Sequence, residues 1–122
     1  MPKYGFEDEA WERAKDEARA ILIDVARRED TITYSDLTAR IHAITLDPHD
    51  YAIRTFLGEI SSAEHEHGRG MLSAVVVYKY GEQMPGPGFF ELARSLGFHV
   101  QDETVFWVEE VRRVYQAWAG GA

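Results

Sequence analysis

One segment of this sequence changes the hydrophobic period, and it constrains the fold more than any other. Residues 71–79 read Met-Leu-Ser-Ala-Val-Val-Val-Tyr-Lys, a near-continuous apolar run with three successive valines. β-Branched side chains crowd a helix and suit an extended chain, so the run predicts a strand buried on both faces. Ser73 interrupts it, and it is far too short to span a bilayer.

The sequence before the run repeats at helical spacing. Trp11, Ala14, Ala18, Ile21, Leu22 and Val25 recur every three or four residues within 6–28, which predicts one apolar stripe on a helix. Glu7, Asp8 and Glu9 at its start and Arg27 and Arg28 at its end suit the helix dipole. Thr31, Ile32 and Thr33 predict a short strand. Ser35 reads as the N-cap of a short helix carrying Leu37, Ile41 and Ile44. Asp47-Pro48 predicts the start of a third helix, with Ala52, Ile53, Phe56, Leu57 and Ile60 on one face, fraying near Gly68 and Gly70.

After the run, residues 80–88 hold three glycines and two prolines, which predicts a loop or hairpin tip. A helix over 89–96 follows, stopped by Gly97. A last helix over 104–118 is expected to turn Val108, Val111, Tyr115 and Trp118 inward, with Gly120-Gly121 fraying into solvent.

At 122 residues the chain suits a single domain, 1–122, large enough for one core. Apolar residues at 45% and charged residues at 28% argue against disorder. The absence of cysteine removes disulfides, thiolate nucleophiles and cysteine-ligated metal sites. The first residues, Met-Pro-Lys-Tyr-Gly-Phe-Glu-Asp-Glu, lack an apolar targeting segment, so a cytoplasmic location without membrane contact is expected. The fold class expected is α+β: helix-rich, with a winged-helix-like core, a small sheet and two C-terminal helices.

Two resemblances accompany this reading. The phrase Ile32-Thr33-Tyr34-Ser35-Asp36-Leu37-Thr38-Ala39-Arg40-Ile41 resembles the start of the helix–turn–helix core in alkyltransferase-like DNA-repair domains, where a similar segment opens the second helix. Those domains carry a Pro-Cys-His-Arg motif, whereas this chain reads Gly70-Met71-Leu72-Ser73-Ala74-Val75, so methyl-transfer repair is excluded. The block from Gly68 to Val77, continued by Pro85-Gly86-Pro87-Gly88-Phe89-Phe90-Glu91-Leu92-Ala93, is similar to a pattern in small uncharacterised bacterial proteins, which implies no activity.

Chemistry-bearing residues are sparse. Glu64, His65 and His67 are the densest candidate for a divalent metal, and they make a small metal-dependent enzyme the third functional reading. His65 and His67 point about 200° apart on a helix, however, and His-Glu-x-x-His is absent, so a solvated helix end is preferred and no cofactor is expected. His42, His49 and His99 have no partner legible in the sequence, and no serine sits in a nucleophile elbow. The Gly-Pro-Gly loop could hold an anion at a helix start, but Pro85 and Pro87 remove donors, so a rigid turn delivering Phe89 and Phe90 to the core is preferred.

A DNA-binding winged-helix regulator is the second reading, with Arg40, Arg54, Arg69 and Lys79 as contacts. Charge opposes it. The chain carries a net −8, and residues 31–68 hold only Arg40 and Arg54 against Asp36, Asp47, Asp50, Glu59, Glu64 and Glu66. The first reading is therefore a non-enzymatic protein-interaction or regulatory module of a bacterial cytoplasmic system. Its three tryptophans, six tyrosines and six phenylalanines supply anchors. Adjacent Phe106 and Trp107, with Tyr115 and Trp118, are the expected partner-binding residues, and a homodimer through the last helix is the natural form.

Overall fold

The computed structural model describes residues 3–119, so the expectation for Gly120 and Gly121 lies outside the described residues. In chain order the elements are α1 (Asp8–Arg27), β1 (Ile32–Thr33), α2 (Tyr34–Arg40), α3 (Ala52–Glu66), a 3₁₀ turn (Leu72–Val75), β2 (Val76–Val77), α4 (Pro87–Ser95) and α5 (Glu103–Trp118). This is a helix-rich α+β domain with a small sheet and two helices at its C-terminal end. β1 and β2 pair in parallel, Ile32 opposite Val76 and Thr33 opposite Val77. Parallel strands need a crossover, and here it is made by α2, α3 and the 3₁₀ turn.

The apolar run is buried as expected but is not the long strand expected. Residues 71–77 are all buried, yet only Val76 and Val77 are extended. An apolar run reports that a segment is surrounded without reporting by what. Its surroundings here are α1, α3 and α5, which offer side chains rather than a ladder of backbone partners. The turn satisfies its polar groups accordingly: Met71 N–H donates to Glu110 Oε2 at 2.8 Å, Ser73 N–H to Ser61 Oγ at 2.9 Å, and Ala74 N–H to the Met71 carbonyl at 2.9 Å.

Helix boundaries shift for local reasons. Thr33, not Ser35, caps α2, because its hydroxyl accepts the Asp36 N–H at 3.1 Å. Ile41 and Ile44 are buried from the following loop, which Glu17 of α1 holds by accepting the His42 and Ala43 N–H groups. Asp47 caps a turn rather than α3: its carboxylate accepts the His49 N–H and its carbonyl the Asp50 N–H, and the helix begins at Ala52. Pro87 opens α4 two residues earlier than expected, and Gly97 ends it at φ 100°, with the Gly97 N–H on the Arg94 carbonyl and the Phe98 N–H on the Ala93 carbonyl.

The core lies where α1, α3 and α5 enclose the 3₁₀ turn. Trp11, 1% exposed, meets Phe56 edge-to-face at 5.3 Å and donates its indole N–H to Glu59 at 2.9 Å. Side chains of this size, fully buried, each contribute roughly 1.5–3 kcal/mol. Ala14, Ala18, Leu22 and Val25 continue the stripe, and all five apolar positions expected on α3 are buried. On α5, Val111, Tyr115 and Trp118 pack partly buried against the core as expected, but Val108 does not. Val108 is 43% exposed, while Glu110 and Val114 are fully buried, because Glu110 turns in to reach the Met71 N–H. Among the described residues, no helix is long and apolar enough to cross a membrane.

Candidate functional site

The chain concentrates unspent polar and aromatic side chains where the starts of α2, α3 and α4 meet the end of β2. Tyr34 is the first residue of α2 and Tyr78 follows β2, so the parallel pairing of the strands sets their rings against each other at 5.2 Å. Tyr51 and Arg54 begin α3, with the Arg54 guanidinium 5.3 Å from the centre of the Tyr51 ring. Together with His49, Asp50, Gly86 and Gly88 these residues line an open pocket of about 410 Å³.

The Gly-Pro-Gly loop is what allows this arrangement. A Cβ on Gly86 would lie 2.4 Å from the Tyr78 hydroxyl and 3.5 Å from that of Tyr34, so only glycine lets both hydroxyls converge there. A Cβ on Gly88 would press on the Arg54 side chain at 3.1 Å. The expected role of the loop also stands: Phe89 and Phe90 are buried and meet edge-to-face at 5.1 Å. The same loop therefore packs the core with its aromatic end and shapes the pocket with its glycine end.

The electrostatics of the pocket favour donors. Tyr34 Oη accepts the Gly86 N–H at 2.8 Å. Burial pushes the Tyr34 hydroxyl above the ordinary phenol pKa, a push strengthened by Tyr78 and opposed by the Gly86 hydrogen bond and the Arg54 charge. It is therefore protonated at neutral pH, with one lone pair engaged and its proton left to donate. Arg54 meets Glu91 at 3.3 Å, but both side chains are largely exposed and a surface pair of this kind holds weakly. No side chain caps the N-terminus of α4, whose first-turn N–H at Gly88 has no acceptor within the helix.

The residues singled out from sequence fall elsewhere, with one exception. Phe106 packs on Phe89, Phe90 and Phe98, and the Trp107 indole donates to the Ala74 carbonyl at 2.8 Å. Tyr115 donates to the Asp30 carbonyl at 2.7 Å, and Trp118 lies among the guanidiniums of Arg19, Arg27 and Arg69. All four are only partly exposed; Phe106, Trp107 and Tyr115 are engaged within the chain, while the buried Trp118 indole N–H has no hydrogen-bond partner among the described residues. The large apolar side chains that α5 exposes are Val105 and Val108.

Glu64, His65 and His67 diverge. The Glu64 carboxylate is buried and its two oxygens are taken by Arg19 and Arg69. Burial alone would raise its pKa, but the hydrogen bonds and charges of the two arginines outweigh that and hold it below the usual carboxylate value. His65 meets the Phe98 ring, and His67 reaches back to the Ala63 carbonyl. Among the described residues, no cluster of three or more metal-ligating side chains could hold an ion.

The four basic candidates are dispersed. Arg54 lines the pocket near the start of α3, whereas Arg69 lies past the other end of that helix, folded back onto Glu64. Arg40 lines a separate shallow groove with Arg28, Asp30 and Asp36, and Lys79 lies over the Tyr80 ring. The acids are not all surface charges either. Glu64 is buried, and Glu59 is bound by Lys3, Lys15 and the Trp11 indole.

Sequence reasoning found Arg54 but missed Tyr34, Tyr51 and Tyr78, which share a pocket while lying up to 44 residues apart in sequence. The one local signal was the pair of glycines flanking Pro87, which reports a close approach without naming what approaches. No family model matches this chain, nor does any curated protein or solved structure compared with it.

Proposed function

We propose that this chain is a non-enzymatic recognition module that binds another protein through the tyrosine- and arginine-bearing face formed by α2, α3 and the start of α4. One observation carries the reading. Tyr51, Tyr78 and Tyr80 are 63%, 45% and 80% exposed, beside Arg54 and Lys79, while Phe106, Trp107 and Tyr115 of α5 are engaged inside the domain. Tyrosine and arginine are the side chains that most often anchor protein interfaces, since each combines contact area with directed hydrogen bonds.

The DNA-reading alternative needs outward cations along α3. Its outer groove instead sets Arg54 with Glu66 and with Glu91 of α4, and Glu59 there is already paired with Lys3 and Lys15. The metal-enzyme alternative needs free carboxylate oxygens, and both oxygens of Glu64 are held by arginine.

The test is a photo-crosslinking residue placed in living cells at Tyr51 and, as a control, at the exposed Ala20 of α1. A discrete adduct from position 51 and none from position 20 is expected. Equal labelling at both, or none at 51, would sink the reading. Binding to duplex DNA that falls steeply between low and moderate salt would favour the regulator instead.

A further inference from the structure

We infer that the pocket among Tyr34, Tyr51, Arg54, Tyr78 and Gly88 is a binding site for a small oxyanion carried on a flat ring, of the size and class of a nucleoside monophosphate. This goes beyond the protein-binding reading and does not depend on it.

The argument begins with the donor set. Tyr34 Oη already accepts the Gly86 N–H, which leaves its proton to donate to the pocket. The Tyr78 hydroxyl converges on the same glycine. Arg54 presents a guanidinium whose surface partner, Glu91, lies in the adjoining groove and is 64% exposed. The uncapped start of α4, nine residues long, adds the Gly88 N–H and the positive end of its dipole. A guanidinium fork, phenolic O–H groups and a helix N-terminus together form the donor pattern that binds phosphate or carboxylate. His49 and Asp50 line the rim; Asp50 is the carboxylate among the lining residues and is exposed.

The remaining lining specifies a ring. Tyr51 and Tyr78 are 63% and 45% exposed, with Arg54 over the Tyr51 ring and Tyr34 against that of Tyr78, and Pro48, Ile53, Leu57 and Leu92 add apolar lining. Aromatic faces and an arginine plane are sequence-tolerant stacking surfaces for nucleobases. The volume, about 410 Å³, lies within the roughly 300–1,000 Å³ of small-molecule sites. It suits one nucleotide rather than a strand.

The probes are AMP and CMP, with adenosine, benzoate and inorganic phosphate as comparison arms, titrated at low salt against the backbone amide resonances of the whole chain. Both nucleotides should shift Gly86, Gly88 and their neighbours saturably, and each should bind at least tenfold more tightly than adenosine or phosphate alone. Benzoate binding as tightly as AMP would make the occupant an aromatic carboxylate and overturn the phosphate assignment. Phosphate alone binding as tightly would remove the ring, and unmoved resonances would end the proposal.

Arg54→Gln should weaken AMP at least tenfold, and Tyr34→Phe several-fold. Arg54→Lys, which keeps the charge but loses the fork, should recover only part. Each variant is checked for an unchanged amide spectrum away from the pocket. Should Tyr34→Phe disturb the fold, the Arg54 pair decides: equal affinity in Arg54→Gln and the parent overturns the inference. A surviving adduct at position 51 without nucleotide binding would sink this inference alone, and the reverse pattern would sink only the protein-binding reading.

Discussion

The two ends of this domain use arginine, carboxylate and aromatic side chains in opposite ways. At the end where α1, α3 and α5 converge, Glu64 is locked between Arg19 and Arg69, Trp118 lies among three guanidiniums, and Glu110 is committed to the Met71 N–H and to Arg113. At the other end Arg54 makes a solvent-exposed 3.3 Å pair with Glu91 and lies over the Tyr51 ring, and Tyr51, Tyr78 and Tyr80 remain 63%, 45% and 80% exposed. The same residue types are spent inside in one place and left available in the other. The lesson is that polar capacity left accessible to solvent after folding, rather than residue type, marks a recognition surface: the unpartnered Trp118 indole N–H at the first end is buried.

The sharpest way to break the contrast is to remove a committed carboxylate. Glu110→Ala strands a buried N–H and opens space on α5, and should cost about 3 kcal/mol, read from chemical denaturation. Loss of less than about 1 kcal/mol would mean that this end is not held as described.

Glu64→Gln should cost about 2 kcal/mol, less than a wholly buried pair because Arg19 and Arg69 can rehydrate. Its sign with pH is fixed. Glu64 and Glu59 both have carboxyl pKa values held below the ordinary 4.5, so their contribution is present above that value and disappears as pH falls through the folded-state values. A melting-temperature profile should therefore drop on the acid side, and the Glu64→Gln profile should drop less.

Gly86→Ala should cost about 1 kcal/mol, since the new methyl meets the Tyr78 hydroxyl but that ring is exposed enough to swing away. Its larger consequence is at the pocket, where the two hydroxyls no longer converge. Smallest of all, Tyr51→Ala should leave stability within about 0.5 kcal/mol, as an exposed position does. A large loss there would erase the distinction between the two ends.

Much of the architecture was legible along the chain. The stripe of α1 and the apolar face of α3 follow from spacing, because a helix places residues three or four apart on one side whatever it packs against; the burial of residues 71–77 follows from an unbroken apolar run, and the Gly97 stop from the positive φ that glycine tolerates. The site was far less legible. Charge counting treated Glu59 and Glu64 as surface acids, and aromatic counting placed the anchors on α5, because composition cannot say which groups a fold consumes.

The sequence by itself determined which segments are helical, which stretch is buried, and that two glycines flank Pro87. Only the tertiary structure decided that the buried stretch is a 3₁₀ turn, that α5 turns Glu110 inward, and that Tyr34, Tyr51, Arg54 and Tyr78 share one pocket. The physical reason is range. Periodicity and capping act within a few residues, whereas the spending of a charge or a ring depends on partners brought together from distant parts of the chain.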